Sequence, residues 1–213
     1  MDHPLAWLAP VLGYLLGSIP FAFLIGRVAG VDLRLVGSGN VGAGNLTRVV
    51  GVKAGMAAAL LDGFKGLIPV LVLKAWDFGP AIVSLSGLAI VIGHNWSIFM
   101  RGRSGRGLAP SSGVLLAVAP PLIVWPGGWA VAGWKFGGGL AGFIAWSSLP
   151  VVAVLFRWSS AVVLACFGLA MLCLIRRMQG NPGRIPGFRA AIHRAIFDTD
   201  GIELAETEEA ART

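Results

Sequence analysis

Residues 78–100 read FGPAIVSLSGLAIVIGHNWSIFM, a stretch without Asp, Glu, Lys or Arg and interrupted only by His94. A helix rises 1.5 Å per residue, so about 20 apolar residues cross a ~30 Å hydrocarbon layer. Working outward, four more uncharged runs cover Leu5–Gly26, Leu108–Trp134, Phe136–Phe156 and Trp158–Ile175. With 56% hydrophobic and 13% charged residues and a mean hydropathy of +0.78, no soluble domain of this size could cover its apolar surface. A transmembrane barrel would alternate in segments of about ten residues, and these runs do not. The fold class is therefore an all-α polytopic membrane protein.

Proline and glycine divide the runs. Pro120-Pro121 and Pro126-Gly127-Gly128 split Leu108–Trp134, Gly137–Gly139 precede the next segment, and Arg157 precedes the last. This predicts about seven spans near 4–28, 54–73, 78–93, 108–119, 121–135, 139–156 and 159–176, with six as the alternative count. Several are short, which predicts tilted or half-crossing helices. The first run is not a secretory signal, because Asp2 and His3 precede it and Arg27 follows.

Cationic residues mark the cytoplasmic side of membrane proteins. With the N-terminus outside and the C-terminus cytoplasmic, all of the 17 basic residues except Lys65, Lys74 and Arg157 fall inside. Asp198, Asp200, Glu203, Glu206, Glu208 and Glu209 lie in the last sixteen residues; the rest of the chain holds only Asp2, Asp32, Asp62 and Asp77. The basic excess suits lipid headgroups or an anionic substrate, and no nucleic-acid binding is expected. The chain reads as a membrane domain over 1–177, an amphipathic surface segment over 178–197, and an acidic, disordered tail over 198–213. The oligomeric state is left open, with a monomer as one option.

Two polar stretches carry the candidate chemistry. Residues 37–45, GSGNVGAGN, let successive backbone N–H groups converge on an oxyanion. Ser38, Asn40 and Asn45 add side-chain donors, and Arg48 a forked cation suited to phosphate. The Gly-Lys-Ser/Thr of a soluble P-loop is missing, and a plain connector would have a similar composition. The second stretch runs from Gly93-His94-Asn95-Trp96 to Arg101, Arg103 and Arg106 among glycines. There the bland alternative is arginines that set topology and a tryptophan that anchors at the interface.

Asp62 and Lys65, three apart in the second span, permit an ion pair at membrane depth. A self-neutralising pair and a lysine reaching a bound phosphate are both open. Cys166 and Cys173 are separated by about 10 Å of helical rise, too far for a disulfide. The histidines are scattered without a carboxylate cluster, so neither a metal site nor a cofactor is expected. No nucleophile elbow or Cys–His pair occurs, and a protein general base is hard to name.

Gly17-Ser18-Ile19-Pro20-Phe21, Gly37–Asn45, Asp62-Gly63-Phe64-Lys65-Gly66 and Gly93-His94-Asn95-Trp96-Ser97 through Gly105-Arg106-Gly107 occur in that order. The set resembles the acyl-phosphate-dependent glycerol-3-phosphate acyltransferases of bacteria, the PlsY type, over roughly residues 5–177. The resemblance implies a seven-helix enzyme of the bacterial cytoplasmic (inner) membrane with its active site toward the cytoplasm. Such an enzyme moves a fatty acyl group from acyl phosphate to the 1-hydroxyl of glycerol 3-phosphate, giving lysophosphatidic acid and phosphate. It implies Arg106, Ser38 and His94 as catalytic residues. The phosphates would be held by Gly37, Ser38, Gly39, Asn40, Gly42, Asn45 and Arg48 of the first stretch, and by Asn95, Arg103, Gly105, Arg106 and Gly107 of the second. Lys65, Asp62 and His193 are further candidates.

The chain departs from that pattern at named positions. Arg106 stands for the family's lysine, Ser104-Gly105 for Gly-Gly, Ala43-Gly44-Asn45 for Ala-Thr-Asn, and Ala109-Pro110 for Ala-Thr. The third motif, His-Arg-x-Asn-Ile, aligns with Phe188-Arg189-Ala190-Ala191-Ile192, without its histidine and asparagine. His193 is the nearest substitute. Two rivals follow: a paralogue that acylates another polyol phosphate or only binds lipid, and a small transporter, which the scarcity of charge within the spans disfavours.

Overall fold

The computed structural model describes residues 6–180 and 187–197; Arg184 and the acidic tail over 198–213 lie outside them. All regular structure among the described residues is helical. Helices α1 (Leu8–Gly17) and α2 (Phe21–Val28) make the first span, followed by a short α3 (Ala43–Val49) and a long α4 (Val52–Ala75). Then come α5 (Pro80–Asn95), α6 (Leu108–Val118), α7 (Val124–Phe136), α8 (Gly138–Leu155), α9 (Ser160–Gln179) and α10 (Phe188–Phe197).

Five stretches are long and apolar enough to cross a membrane: Leu8–Val28, Val52–Ala75, Pro80–Met100, Gly138–Leu155 and Ser160–Gln179. The expected segments 108–119 and 121–135 correspond to α6 and α7, which are separated by a 3-10 turn over Pro120–Ile123. At 11 and 13 residues, each is shorter than a full crossing requires. Cys166 and Cys173 are free, buried thiols.

Two expectations are corrected. The first span is not one continuous helix, since it breaks at Ser18–Pro20, where proline brings no N–H for the ladder. The freed carbonyls have partners: Lys65 Nζ donates to Ile19 O at 2.8 Å, and Ser97 Oγ donates to Ser18 O. Irregular backbone at membrane depth persists where the protein supplies such partners. The stretch 37–45 is likewise not all loop, because Ala43–Asn45 form the first turn of α3.

Small residues set the helix crossings, as expected where apolar driving force between helices is weak. A Cβ at Gly17 would overlap the Ile90 carbonyl of α5, and one at Gly113 would overlap the Gly63 carbonyl of α4. The resulting α1–α5 and α4–α6 pairs frame the centre of the molecule. Ile90, Val91, Val114, Leu115, Trp146, Leu149, Cys166 and Leu169 form the buried core. Large apolar side chains such as Leu12, Leu16, Leu60, Ile68, Val151 and Phe167 face outward, as lipid-facing surfaces require.

Candidate functional site: a cleft between two glycine-rich segments

The first segment is built around one side chain. Asn45, buried in the opening turn of α3, donates from Nδ2 to Leu33 O at 3.2 Å and Val36 O at 3.0 Å. Its Oδ1 accepts from the Ser38 N–H at 3.0 Å. Gly37, at φ +56°, passes so close that a Cβ would overlap Asn45 Oδ1, so the turn requires glycine twice over. Asn45 thus builds the loop, and the loop presents Ser38 and Asn40. Asn40 has a buried amide oxygen without a hydrogen-bond partner. Outside the spans, Asp32 is bridged by Arg34 at 2.6 Å; that hydrogen bond holds its carboxyl at about 2.

The second segment is pinned by α9. Arg176, 2% exposed, donates from Nη2 to Ser104 O at 2.9 Å, from Nε to Gly105 O at 3.1 Å and from Nη1 to Gly180 O at 3.0 Å. Trp96, where the segment leaves α5, donates to Gln179 Oε1 at 2.8 Å, and its carbonyl accepts from the Tyr14 hydroxyl at 3.1 Å. Gly105 lies against His94 so closely that a Cβ would overlap Nε2. Gly107, at φ +78°, turns the chain into α6 beneath Asn95.

Between the segments lies a cleft of about 240 Å³, lined by Ser38, Asn40, Gly42–Asn45, Arg48, Asp62, His94 and Arg106–Ala109. The N-termini of α3 and α6 both open onto it, and neither carries a side-chain cap. Unpaired first-turn amides and the positive ends of helix dipoles favour an anion, and Arg48 and Arg106 add full charges. The lining contains one carboxylate, Asp62, which is ion-paired: Lys65 Nζ lies 2.7 Å from its Oδ1, and His94 Nδ1 stands 3.4 Å from the same oxygen without a hydrogen bond. The charge left to the cleft is positive.

The structure therefore brings Ser38, Asn40, Gly42, Asn45, Arg48, Asp62, His94, Arg106 and Gly107 to one cleft. Gly37, Gly39, Asn95 and Gly105 shape its walls without lining it. Asn95, fully buried, donates to Leu172 O at 3.1 Å. Lys65 stands behind Asp62 with its ammonium on Ile19 O, as a self-neutralising structural pair, and does not line the cleft.

Arg103 is exposed outside the cleft. His193, exposed on α10, stacks on Phe197 at 4.9 Å between ring centroids, away from the lining. The stretch 188–192, expected to stand in for a third motif, lies on α10 and contributes no lining residue. Arg176 was missed: in sequence it is one of two adjacent arginines ending an apolar run, and topology alone accounts for such a pair. Also missed were the lining residues Ala43 and Gly44 of α3 and Leu108 and Ala109 of α6.

An apolar groove of about 340 Å³ runs between α4 and α6, lined by Leu60, Phe64, Leu67, Gly113 and Leu116 among others. It meets the cleft at Ala109, which lines both.

Comparison with known proteins gives a consistent result. The glycerol-3-phosphate acyltransferase family model matches residues 7–186. A glycerol-3-phosphate acyltransferase of Pseudomonas syringae pv. tomato is 36% identical over 182 residues, 82% of this chain and 91% of that protein. One from Rubrobacter xylanophilus is 46% identical over 112 residues, which span only 56% of its length. The crystal structure of PlsY (YgiH), an integral membrane glycerol 3-phosphate acyltransferase, in its glycerol 3-phosphate form, superposes with a TM-score of 0.76 at 35% identity. It covers 82% of this chain and 88% of that one. The lysophosphatidic acid form gives a TM-score of 0.74.

Proposed function

This chain belongs to the glycerol-3-phosphate acyltransferase family, and we propose that it transfers a fatty acyl group from acyl phosphate to the 1-hydroxyl of glycerol 3-phosphate. The observation that carries the reading is the shared cleft: two uncapped helix N-termini and two arginines meet there. Both substrates bear phosphate, and the cleft offers one anion-binding wall from each segment. The α4–α6 groove, entered at Ala109, suits the acyl chain.

In the reaction, the acceptor hydroxyl oxygen attacks the acyl carbon, the bond from that carbon to the phosphate oxygen breaks, and phosphate departs. A mixed anhydride is already activated, so positioning and charge stabilisation carry the chemistry. Ser38, Asn40, Arg48 and Arg106 hold the phosphates. Because Asp62 is ion-paired with Lys65, we assign the hydroxyl proton to the departing phosphate. His94 contributes by filling the base of the cleft beside Gly105. The family relationship and the basic bias of one end further support a bacterial inner-membrane enzyme of seven spans. Its N-terminus is then outside and the cleft faces the cytoplasm.

The test is donor and acceptor identity. Purified protein given palmitoyl phosphate and glycerol 3-phosphate is expected to form 1-palmitoyl lysophosphatidic acid, detected by mass, and to form none from palmitoyl coenzyme A. Acylation of another polyol phosphate in preference would overturn the acceptor assignment. The stretch Phe188–Ile192 lies beyond the family match over residues 7–186, so its departures do not by themselves favour that second reading.

A further inference from the structure

Helix α10 spans Phe188–Phe197, beyond the family match that ends at residue 186, and contributes nothing to the cleft. Its two sides differ sharply. Ala191 and Ala195 are buried against α8 and α9. Arg194 Nη1 donates to Gln179 O at 3.4 Å, and the Phe197 carbonyl lies where a Cβ on Gly139 would overlap it. The other side presents Phe188, Ile192 and Phe197 at 78%, 40% and 50% exposure, with Arg189 and His193 exposed among them. At 100° per residue, Phe188, Ile192 and Ile196 form one apolar strip flanked by Arg189.

We propose that this face docks on the anionic phospholipid headgroup layer, as a membrane-surface anchor built onto the end of the bundle. Two observations choose that occupant. The first is position: α10 touches Gly139, in the opening turn of the span Gly138–Leu155, and Gln179, the last residue of the span Ser160–Gln179. Its free face therefore continues the outward apolar surface at the level where those helices leave the hydrocarbon. The second is charge. Arg189, exposed on α10, is cationic, and none of the residues 188–197 is acidic. An apolar strip bordered by cations lies in an interface with its side chains among the upper acyl carbons, and each nearby cation strengthens adhesion to anionic lipid.

The inner face has a consequence for the site. Gln179 holds Trp96, and Gly180 accepts from Arg176, which clasps Ser104 and Gly105. The anchor thus fastens the same corner that fastens the second segment. The proposal stands whether or not the acyl-transfer assignment holds.

The test uses the full chain carrying Ile192→Cys and an environment-sensitive fluorophore, one copy per lipid nanodisc. Cys166 and Cys173 are 0% exposed, and the unsubstituted chain gives the labelling blank. Discs of phosphatidylcholine, alone or mixed with phosphatidylglycerol, carry a shallow doxyl quencher. Expected are blue-shifted emission and quenching that deepens with phosphatidylglycerol, with Arg189→Ala weakening the docked state about five-fold. The more exposed Phe188→Cys repeats the measurement should label at 192 disturb packing. Water-like emission in both lipids, quenching indifferent to phosphatidylglycerol, or shielding that requires two copies per disc overturns the proposal.

Discussion

Arg176 and Ser104, seventy-two positions apart in the chain, are joined by a 2.9 Å hydrogen bond from Nη2 to the main-chain carbonyl. The same guanidinium reaches Gly105 O and Gly180 O. One side chain from the last span thereby fixes the wall that carries Arg106. Hydrogen bonds from charged groups contribute about 1.5–3 kcal/mol each. Arg176→Ala should therefore raise KM for the phosphate substrates by about ten-fold or more. Arg176→Lys keeps the charge without the three-way fork and should recover part of the loss. Steady-state kinetics beside thermal unfolding separate this from general destabilisation: a Tm drop with KM unchanged would show that the clasp serves only the fold.

The Asp62–Lys65 pair, at 2.7 Å and buried, behaves as one unit in this account. Asp62→Asn alone strands a buried ammonium and should cost about 3–5 kcal/mol of stability, as removing one partner of a buried pair does. Lys65→Met also frees Ile19 O and should be similarly costly. Asp62→Asn combined with Lys65→Met should lose less than the sum of the two. Thermal unfolding in detergent measures the coupling, and strict additivity would mean that the residues act separately.

Asn45 makes three loop hydrogen bonds. Asn45→Asp replaces the donating amide with oxygens facing Leu33 O and Val36 O, and should cost about 1–3 kcal/mol for each carbonyl left unpaired. Phosphate affinity should fall with it, since Ser38 and Asn40 lose their support. Titration with inorganic phosphate and hydrogen exchange across residues 33–40 check both effects.

Gly44 lines the cleft, yet a Cβ there meets nothing within 4 Å. Threonine, which the resembled family carries at this position, should therefore be accepted, since it is also a better helix residue than glycine. Gly44→Thr is expected to keep or raise Tm. Its hydroxyl is expected to lower KM for a phosphate substrate. Gly105→Ala, which collides with His94, should instead reduce both stability and turnover.

Much of this was legible in the sequence, for identifiable reasons. The absence of charge over 78–100 and its sister runs forces helices across a membrane, and Pro120-Pro121 marks the turn between α6 and α7. Ser38, Asn40, Arg48, His94 and Arg106 were nameable because glycine-rich stretches with donors and cations suit phosphate. Distant pairings were not legible. Nothing local in Arg176 distinguishes a clasp on Ser104 from a cation at a membrane boundary. The break at Ser18–Pro20 was hidden because its partners, Lys65 and Ser97, come from other spans. Asn45 read as a ligand donor because composition does not reveal which backbone carbonyls an amide will meet.

The central claim is that the cleft between the two segments is where acyl transfer occurs. Arg106 lines it, whereas Arg103, three residues earlier, is exposed outside it. The most direct measurement is acceptor-dependent phosphate release from palmitoyl phosphate and glycerol 3-phosphate, with a blank lacking acceptor, for the unsubstituted chain, Arg106→Ala and Arg103→Ala. The account predicts release that collapses in Arg106→Ala and persists in Arg103→Ala. Equal loss in both variants, or release from folded protein that does not depend on the acceptor, would contradict it.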